Sequence, residues 1–395
     1  MKNTVKTFNG YIRPNGAVGI RNHVVAIANC SCANGIVNRI CAEVPDVIPL
    51  IHTYGCSIPG EFDRWRRVLT GVCTNPNIYG VLLIGVGCET DDAKVIGQMI
   101  HERSGMPIFA QIVQDDGGCE AVISKCIAQA RKFLQEAADC RRQEAPLSSL
   151  VLGTQCGGSD ALSGITANPA IGYVSDWLVE NGGTVLLTEM AEMIGTEDTL
   201  AARSVTPEVG QRVKDAILAE EVEVRKWLGP EASRIIARGN MAGGLTTIQE
   251  KALGCIKKGG TSPIVDILEY GEPIGPRKGL VIMRGPGYDP VSLTGLFSTG
   301  AQVMFYSTGR GNPLGFPVAP CIKICSNSKT YYAMGGDDGD MDINAGAVVT
   351  DGLKPEELGE RCISYLLDVL NGKLTVPEKR GLGGALCVFQ ASTPL

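Results

Sequence analysis

Fifteen cysteines and only three histidines share this chain of 395 residues, and four of the cysteines stand where metal chemistry is done. Cys30 follows the apolar run 24–29, Cys56 follows 47–52, Cys88 follows 79–87 and Cys156 follows 150–154. If those runs are parallel strands, all four thiols fall at the carboxyl ends, the edge at which open α/β sheets bind their ligands. Glycines accompany three of them, at Gly55, Gly87 and Gly157. Thiolates so placed suit a metal ion or a cluster, whereas a single strand-end cysteine is otherwise a small buried residue. No C-x-x-C occurs, which removes the usual zinc knuckle and weakens a thiol-redox role. With His23, His52 and His101 as the whole histidine supply, a site needing several ligands must draw on Cys, Asp or Glu.

Other polar residues gather in Gly-rich turns: Gln155, Ser159 and Asp160; Asn240, Thr246, Thr247, Glu250 and Lys251; Tyr288, Asp289 and Ser292; Thr308 and Arg310; Lys323; Asp342 and Asn344. Asp, Asn and Ser in turns often bond only their own backbone. Arg310 and Lys323 are different, being cations beside small residues at strands, where a carboxylate could be bound. His52 ends its strand as a core histidine, a ligand or a base. Gly85-Val86-Gly87-Cys88-Glu89-Thr90 lacks the third glycine of a dinucleotide fingerprint, and neither the phosphate-binding G-x-x-x-x-G-K-[ST] nor the hydrolase G-x-S-x-G is present.

These residues need a scaffold, and the alternation of elements supplies one. Runs 24–29, 47–52, 79–87 and 107–114 are strand-like, with helical connections and a closing amphipathic helix over 121–139. That order predicts a three-layer, parallel-sheet N-terminal α/β domain over residues 1–145. The polar, Pro-containing stretch 140–149 is the expected linker. A larger α/β domain, or a pair of domains, follows over 146–395, with strands at 150–154, 184–188, 279–284, 302–307 and 322–325. Helices are expected at 168–180, 204–227 and 355–371.

A net charge of −6 with 20% charged residues offers no basic surface for nucleic acid or an anionic membrane. No segment has about 18 consecutive apolar residues, and the first thirteen lack the apolar core of a signal peptide. A cytoplasmic protein acting on a small molecule is expected, its thiols kept reduced. Glycine, at 50 residues, is well above the roughly 7% average, and brings backbone amides close to a ligand.

Gly10-Tyr11-Ile12-Arg13-Pro14-Asn15-Gly16 with Gly19-Ile20-Arg21-Asn22 resembles the opening of the large segment of altronate and galactarate dehydratases. The likeness continues through His52-Thr53-Tyr54-Gly55-Cys56, Gly85-Val86-Gly87-Cys88-Glu89, Gln155-Cys156-Gly157-Gly158-Ser159-Asp160 and Ser163-Gly164-Ile165-Thr166-Ala167-Asn168-Pro169. It resumes at Ala242-Gly243-Gly244-Leu245-Thr246-Thr247, Gly287-Tyr288-Asp289-Pro290, Thr308-Gly309-Arg310-Gly311 and Met341-Asp342-Ile343-Asn344. The resemblance implies an iron-dependent lyase that removes the C2 proton of a hydroxy acid and a group on C3, yielding a 2-keto acid. Water would leave from a sugar acid such as altronate or galactarate. A second branch of the family releases sulfite from 3-sulfolactate. Ala345 stands where a cysteine is expected, and residues 381–395 differ from the usual tail, so the acid is open.

On this reading Cys56, Cys88 and Cys156, with Cys30 as a weaker fourth, hold the iron, as a four-iron four-sulfur cluster or a mononuclear Fe2+. Arg310 and Lys323 bind the substrate anion, with Ser159, Asp160, Thr246 and Thr247 beside them. His52, Glu89 and Lys251 are the candidate bases. The small β-rich domain that often precedes this segment in the family is not seen, so a separate small β-rich subunit is the expected partner, within an oligomer. A non-catalytic binding subunit is the contrasting expectation.

Overall fold

The computed structural model describes residues 4–56, 59–229 and 236–389. The last part of the tail discussed above, 390–395, and the first three residues lie outside them. The chain opens on two antiparallel strands, β1 (Thr7–Ile12) and β2 (Val18–Gly19). There follow β3 (His23–Ala28), α1 (Asn34–Glu43), β4 (Ile48–Leu50), α2 (Pro59–Cys73), β5 (Ile78–Gly85), α3 (Ala93–Ser104), β6 (Ile108–Ile112) and α4 (Gly118–Asp139). The four strands pair in parallel in the order β4-β3-β5-β6. β3 and β5 are apolar runs buried on both faces, as a covered parallel sheet requires. Helices α1 and α4 cover one face, and α2 and α3 the other. The expected three layers are present.

The stretch expected to be a linker is a strand instead. β7 (Gln143–Pro146) pairs antiparallel with β1 over Thr7–Gly10. Only Ala145 of its four residues is buried, so no apolar alternation announced it.

Beyond it come β8 (Val151–Cys156), α5 (Ala167–Glu180), β9 (Thr184–Leu187), α6 (Glu197–Ala202), α7 (Pro207–Leu228), α8 (Arg238–Ala242), α9 (Ile248–Cys255), β10 (Ile264–Leu268), β11 (Gly279–Met283), α10 (Asp289–Thr299), β12 (Val303–Thr308), β13 (Cys321–Cys325) and β14 (Ile343–Asn344). All seven strands form one parallel sheet in the order β10-β11-β9-β8-β12-β13-β14. The chain leaves β8 to build β9, β11 and β10 on one side, then crosses to build β12, β13 and β14 on the other. β8 is therefore the topological switch point, the place where a crevice opens at the carboxyl edge. Tyr288, Asp289 and Ser292, expected in a turn, stand at the start of α10, with Pro290 in its first turn.

The two parallel sheets share a core. Trp65, Val68, Leu69 and Val72 of α2 pack with Leu293, Leu296 and Phe297 of α10 and with Met304 of β12. Two buried asparagines seal the joint: Asn75 Nδ2 donates to the carbonyls of Phe297 (2.9 Å) and Ala301 (3.0 Å), and Asn77 Nδ2 to that of Gln302 (2.8 Å). No described helix is long and apolar enough to cross a membrane.

Candidate active site at the switch point

β8 ends at Cys156, and the chain turns at once through Gly157, Gly158 and Ser159. A side chain at Gly157 would strike the Tyr306 hydroxyl and the Asp289 carboxylate, so only glycine lets the turn pass this close. The turn forms one wall of a cavity of about 330 Å³, to which α9 contributes Lys251 and the chain just after it Lys257. Thr247 sets the start of α9: its hydroxyl accepts from the Glu250 N–H (3.1 Å), while Thr246 donates its hydroxyl to the Glu250 carboxylate (2.6 Å).

Behind the cavity wall lies a buried cluster of opposite charges. Glu189 follows the end of β9, and Glu192 lies one turn on. Ligating atoms of Cys156, Glu189, Glu192 and Cys255 all lie within 4.8 Å of one another, and all four residues are buried. The Cys156 thiol is 3.1 Å from Glu192 Oε2 and 3.9 Å from Cys255 Sγ. Lys251 ion-pairs with Glu192, and the fully buried Lys258 ion-pairs with Glu189 while lying 3.1 Å from Cys255 Sγ. Glu189 is the only non-glycine residue of the described chain with a positive φ, 76°. That strain places its carboxylate to accept from the Cys156 N–H (3.2 Å) and from Gln155 Nε2 (2.9 Å). Gln155 Nε2 also reaches Asp289 (2.8 Å), which Asn312 Nδ2 meets from the other side (3.0 Å).

The charges shift proton affinities in opposite directions. Burial, together with Cys156, raises the Glu189 carboxyl well above the carboxylate range. Burial acts likewise on Glu192, but Lys251 and Lys258 outweigh it and keep this carboxyl ionised. The hydrogen bond with Cys255 and the two lysine cations bring the Cys156 thiol below its ordinary value despite burial. Lys251 loses affinity through burial and regains more from Glu192, so it remains an ammonium. Two carboxylates and two thiols suit a divalent ion by donor type. Here the ionised Glu192 already has Lys251 as counter-charge, and Lys258 lies against two of the four donors, Glu189 and Cys255. The arrangement is an acid–base cluster.

The expected ligand set is thus divided. Cys156 belongs to the buried cluster, while Cys30 and Cys56 lie 3.7 Å apart at the edge of the other sheet. Among the described residues, no group of Cys30, Cys56 and Cys88 with Cys156 comes within 4.8 Å. Cys56, Cys88 and the neighbouring Cys32 are exposed, Cys30 is buried, and a side chain at Gly55 would collide with Cys30.

The expected bases fare unequally. His52 is a core residue: Nε2 bonds the Ala28 carbonyl (2.8 Å), Nδ1 accepts from the Tyr54 N–H (3.1 Å), and Trp65 covers the ring at 4.2 Å. Burial lowers its pKa to about 4, so it is neutral with both nitrogens engaged. Glu89 spends its carboxylate on the N–H groups of Val86 (2.9 Å), Gly87 (2.7 Å) and Cys88 (3.1 Å), shaping its own loop. Lys251 lines the cavity.

Of the expected substrate binders, Asp160 is saturated by Ser163, Ser326 and Asn327. Ser159 Oγ is buried without a hydrogen-bond partner among the described residues, in the cavity wall. Arg310 is exposed beside Gly158. Lys323 lies wholly inside, above the Tyr306 ring at 2.9 Å from its centroid, with Nζ donating to the Leu314 carbonyl (3.1 Å). It does not reach the cavity wall, because alternate residues of a fully covered strand point into the core on either face.

The chain is thus a parallel α/β protein with a buried acid–base cluster at the switch point of its larger sheet. Residues 10–138 match the family model described as D-galactarate dehydratase/altronate hydrolase, second domain, and residues 147–392 match D-galactarate/altronate dehydratase, C-terminal. The chain is 34% identical over its whole length to altronate dehydratase of Bacillus subtilis, of which it covers 79%. It is 35% identical to galactarate dehydratase (L-threo-forming) of Escherichia coli, over 97% of this chain and 76% of that one. It is 32% identical to the (2R)-sulfolactate sulfo-lyase subunit beta of Chromohalobacter salexigens, over 95% of both. The chain belongs to the D-galactarate/altronate dehydratase family, a family of lyases.

Proposed function

We propose that this chain catalyses elimination from a 2-hydroxy acid, removing the proton on C2 and expelling the group on C3 to give an enol that becomes a 2-keto acid. The observation that carries the reading is the pair Cys156 and Lys251 in one cavity wall, backed by Glu192. Cys156, its proton affinity drawn down and Glu192 at 3.1 Å, is the proton acceptor. Lys251, held as an ammonium, faces the charge that develops when C2 loses its proton beside a carboxylate. Such a cluster is unneeded in a purely binding subunit.

The family resemblance implies iron, and the thiols of the buried Cys30 and the exposed Cys56 and Cys88 fit it by donor type, with Gly55 leaving room beside Cys30. Iron bound there would supply Lewis-acid chemistry to an oxygen of the substrate. Water is the proposed leaving group, as the dehydratase names of the first relatives suggest. Sulfite is the second reading, favoured by the even coverage of a relative that is itself a sulfo-lyase subunit. That relative is named as a subunit, and the proposed partner of this chain is a separate small β-rich subunit within an oligomer.

The test separates the two roles of the cysteines. Cys156→Ser is expected to retain iron but lose about 10²- to 10⁴-fold in kcat, the range of an acid–base group, and to stop exchange of the C2 proton with deuterated water. Cys56→Ser and Cys88→Ser are expected to lose iron. Full activity in Cys156→Ser would remove the assignment.

A further inference from the structure

Burial silences several cysteines of this chain: it pushes the thiols of Cys41, Cys73, Cys126, Cys321 and Cys362 up to about 12, which leaves them protonated and unreactive. Cys156 departs from them. Its hydrogen bond with Cys255 and the cations of Lys258 and Lys251 outweigh burial and bring it down to about 7. It lines the cavity of about 330 Å³, and since a water molecule's share of liquid volume is roughly 30 Å³, a molecule as small as hydrogen peroxide has room to enter. A second thiol is at hand, with Cys255 Sγ 3.9 Å from Cys156 Sγ. A disulfide spans about 2.05 Å, so the two side chains have about 1.9 Å to close by rotation. Two glycines bring the end of α9 this near to the loop after β8: a side chain on Gly254 or Gly164 would come within 3.0 Å of the other's Cα.

The two thiols are also ordered in reactivity. Lys258 Nζ stands 3.1 Å from Cys255 Sγ, yet the Cys255 thiol is held well above its ordinary value, first by the hydrogen bond with Cys156, then by burial and the Cys156 charge. Oxidation of Cys156 neutralises that sulfur, lifts the first and last of these effects, and leaves Lys258 to favour the Cys255 thiolate. Cys30 and Cys56 are closer still, at 3.7 Å, but there burial raises the Cys30 thiol.

We propose that Cys156 and Cys255 are a peroxide-reactive pair, in which Cys156 reduces hydrogen peroxide that enters the cavity and Cys255 closes a disulfide that shuts the site. The Cys156 thiolate attacks one peroxide oxygen; a sulfur–oxygen bond forms, the oxygen–oxygen bond breaks, and the departing hydroxide takes up a proton, which the Lys251 ammonium in the same wall can donate. The Cys255 thiolate then attacks the sulfenic sulfur, and the hydroxyl leaves as water. Two thiols and one peroxide become one disulfide and two waters, each sulfur giving up one electron and each peroxide oxygen taking one. A dithiol reductant reverses the bond by exchange. With Cys156 in the disulfide, no thiolate remains to take the C2 proton. That consequence rests on the proton-acceptor role proposed above, whereas the disulfide itself does not.

The purified chain, freed of reductant, is treated with an equimolar amount of hydrogen peroxide, alkylated, digested and analysed by mass spectrometry. Cys156 and Cys255 are expected to escape alkylation and to appear in one cross-linked peptide pair. Cys255→Ser should stop at a sulfenic acid on Cys156, trapped by dimedone, and pass to the sulfinic acid in excess peroxide. Elimination assayed on the same samples should be lost as the cross-link forms and return with dithiothreitol, without added iron. A Cys30–Cys56 cross-link with Cys156 still open to alkylation, or a Cys156 sulfinic acid without any cross-link in the parent chain, overturns the inference and leaves the elimination standing. Activity that returns only when iron is supplied would overturn control of the site by this pair. Formation of the cross-link with elimination undiminished would uphold the peroxide chemistry and remove Cys156 as proton acceptor.

Discussion

Two lysines are fully buried among the described residues, and their surroundings drive them in opposite directions. Lys258 has Glu189 in contact and keeps its proton. Lys323 lies against an aromatic face and a carbonyl, and burial outweighs Cys321, Asp289 and Asp342 to lower its pKa to about 7. In the unfolded chain the same amine holds its proton to about pH 10.4. Between these values the unfolded state binds the extra proton, so stability rises with pH across that window and is lost on descending through it. Lys323→Met removes the linkage. Urea unfolding should therefore find the variant's advantage over the parent shrinking by about 1.4 kcal/mol per pH unit from pH 7.5 to 9; a constant difference would mean that Lys323 is not discharged. Of the residues singled out from the sequence, Cys156, Ser159, Asp160 and Lys251 line the cavity, whereas Glu189, Glu192, Cys255 and Lys258 were passed over. The signal existed for the first pair, since Glu189 follows the end of β9 much as Cys156 closes β8. Cys255 and Lys258 are a different matter, because within a helical run a buried lysine looks like any solvated one until its partner strand is known. His52 and Glu89 illustrate the converse: both lie at a strand end, yet each is consumed by local backbone bonds.

At the scale of elements, α9 carries much of the site. Its eight residues, Ile248–Cys255, bring Lys251 and Cys255 to the cluster, and the following turn brings Lys257 and Lys258. A helix so short depends on its cap. Thr247→Ala is expected to cost about 1 kcal/mol of stability and to lower kcat several-fold while leaving KM nearly unchanged, because the residue orders Lys251 rather than meeting the substrate. A rise in KM alone would instead make Thr247 a substrate contact. The central strands and long helices were legible in the sequence because covered parallel strands are apolar throughout, as in residues 79–87, and amphipathic helices keep their period, as in 121–139. β7 was not legible, since a four-residue exposed strand owes its existence to pairing with β1. Nor was the singleness of the second sheet, because its strand order depends on crossovers that local composition does not encode.

For the whole molecule, the joint between the two parallel sheets decides whether they behave as separate bodies. α2 crosses α10 closely enough that a side chain at Gly71 would run into the Ser298 carbonyl, and backbone in that position cannot yield as a flexible side chain can. Trp65 belongs to the core that spans both sheets, whereas Trp177 lies in the core on the far side of the larger sheet. Because apolar side chains from both sheets fill one core, neither sheet can expose its face without stripping the other, and the chain should unfold in a single step. Gly71→Ala is expected to cost about 1–3 kcal/mol by overpacking and to shift the whole transition together. Single-tryptophan versions that retain only Trp65 or only Trp177 would read the two regions separately in urea. Coincident curves before and after the Gly71 substitution are the expected result. If the Trp65 signal moved to lower urea while that of Trp177 stayed in place, the sheets would be independent bodies, and a site built on the larger sheet could be studied without the smaller one.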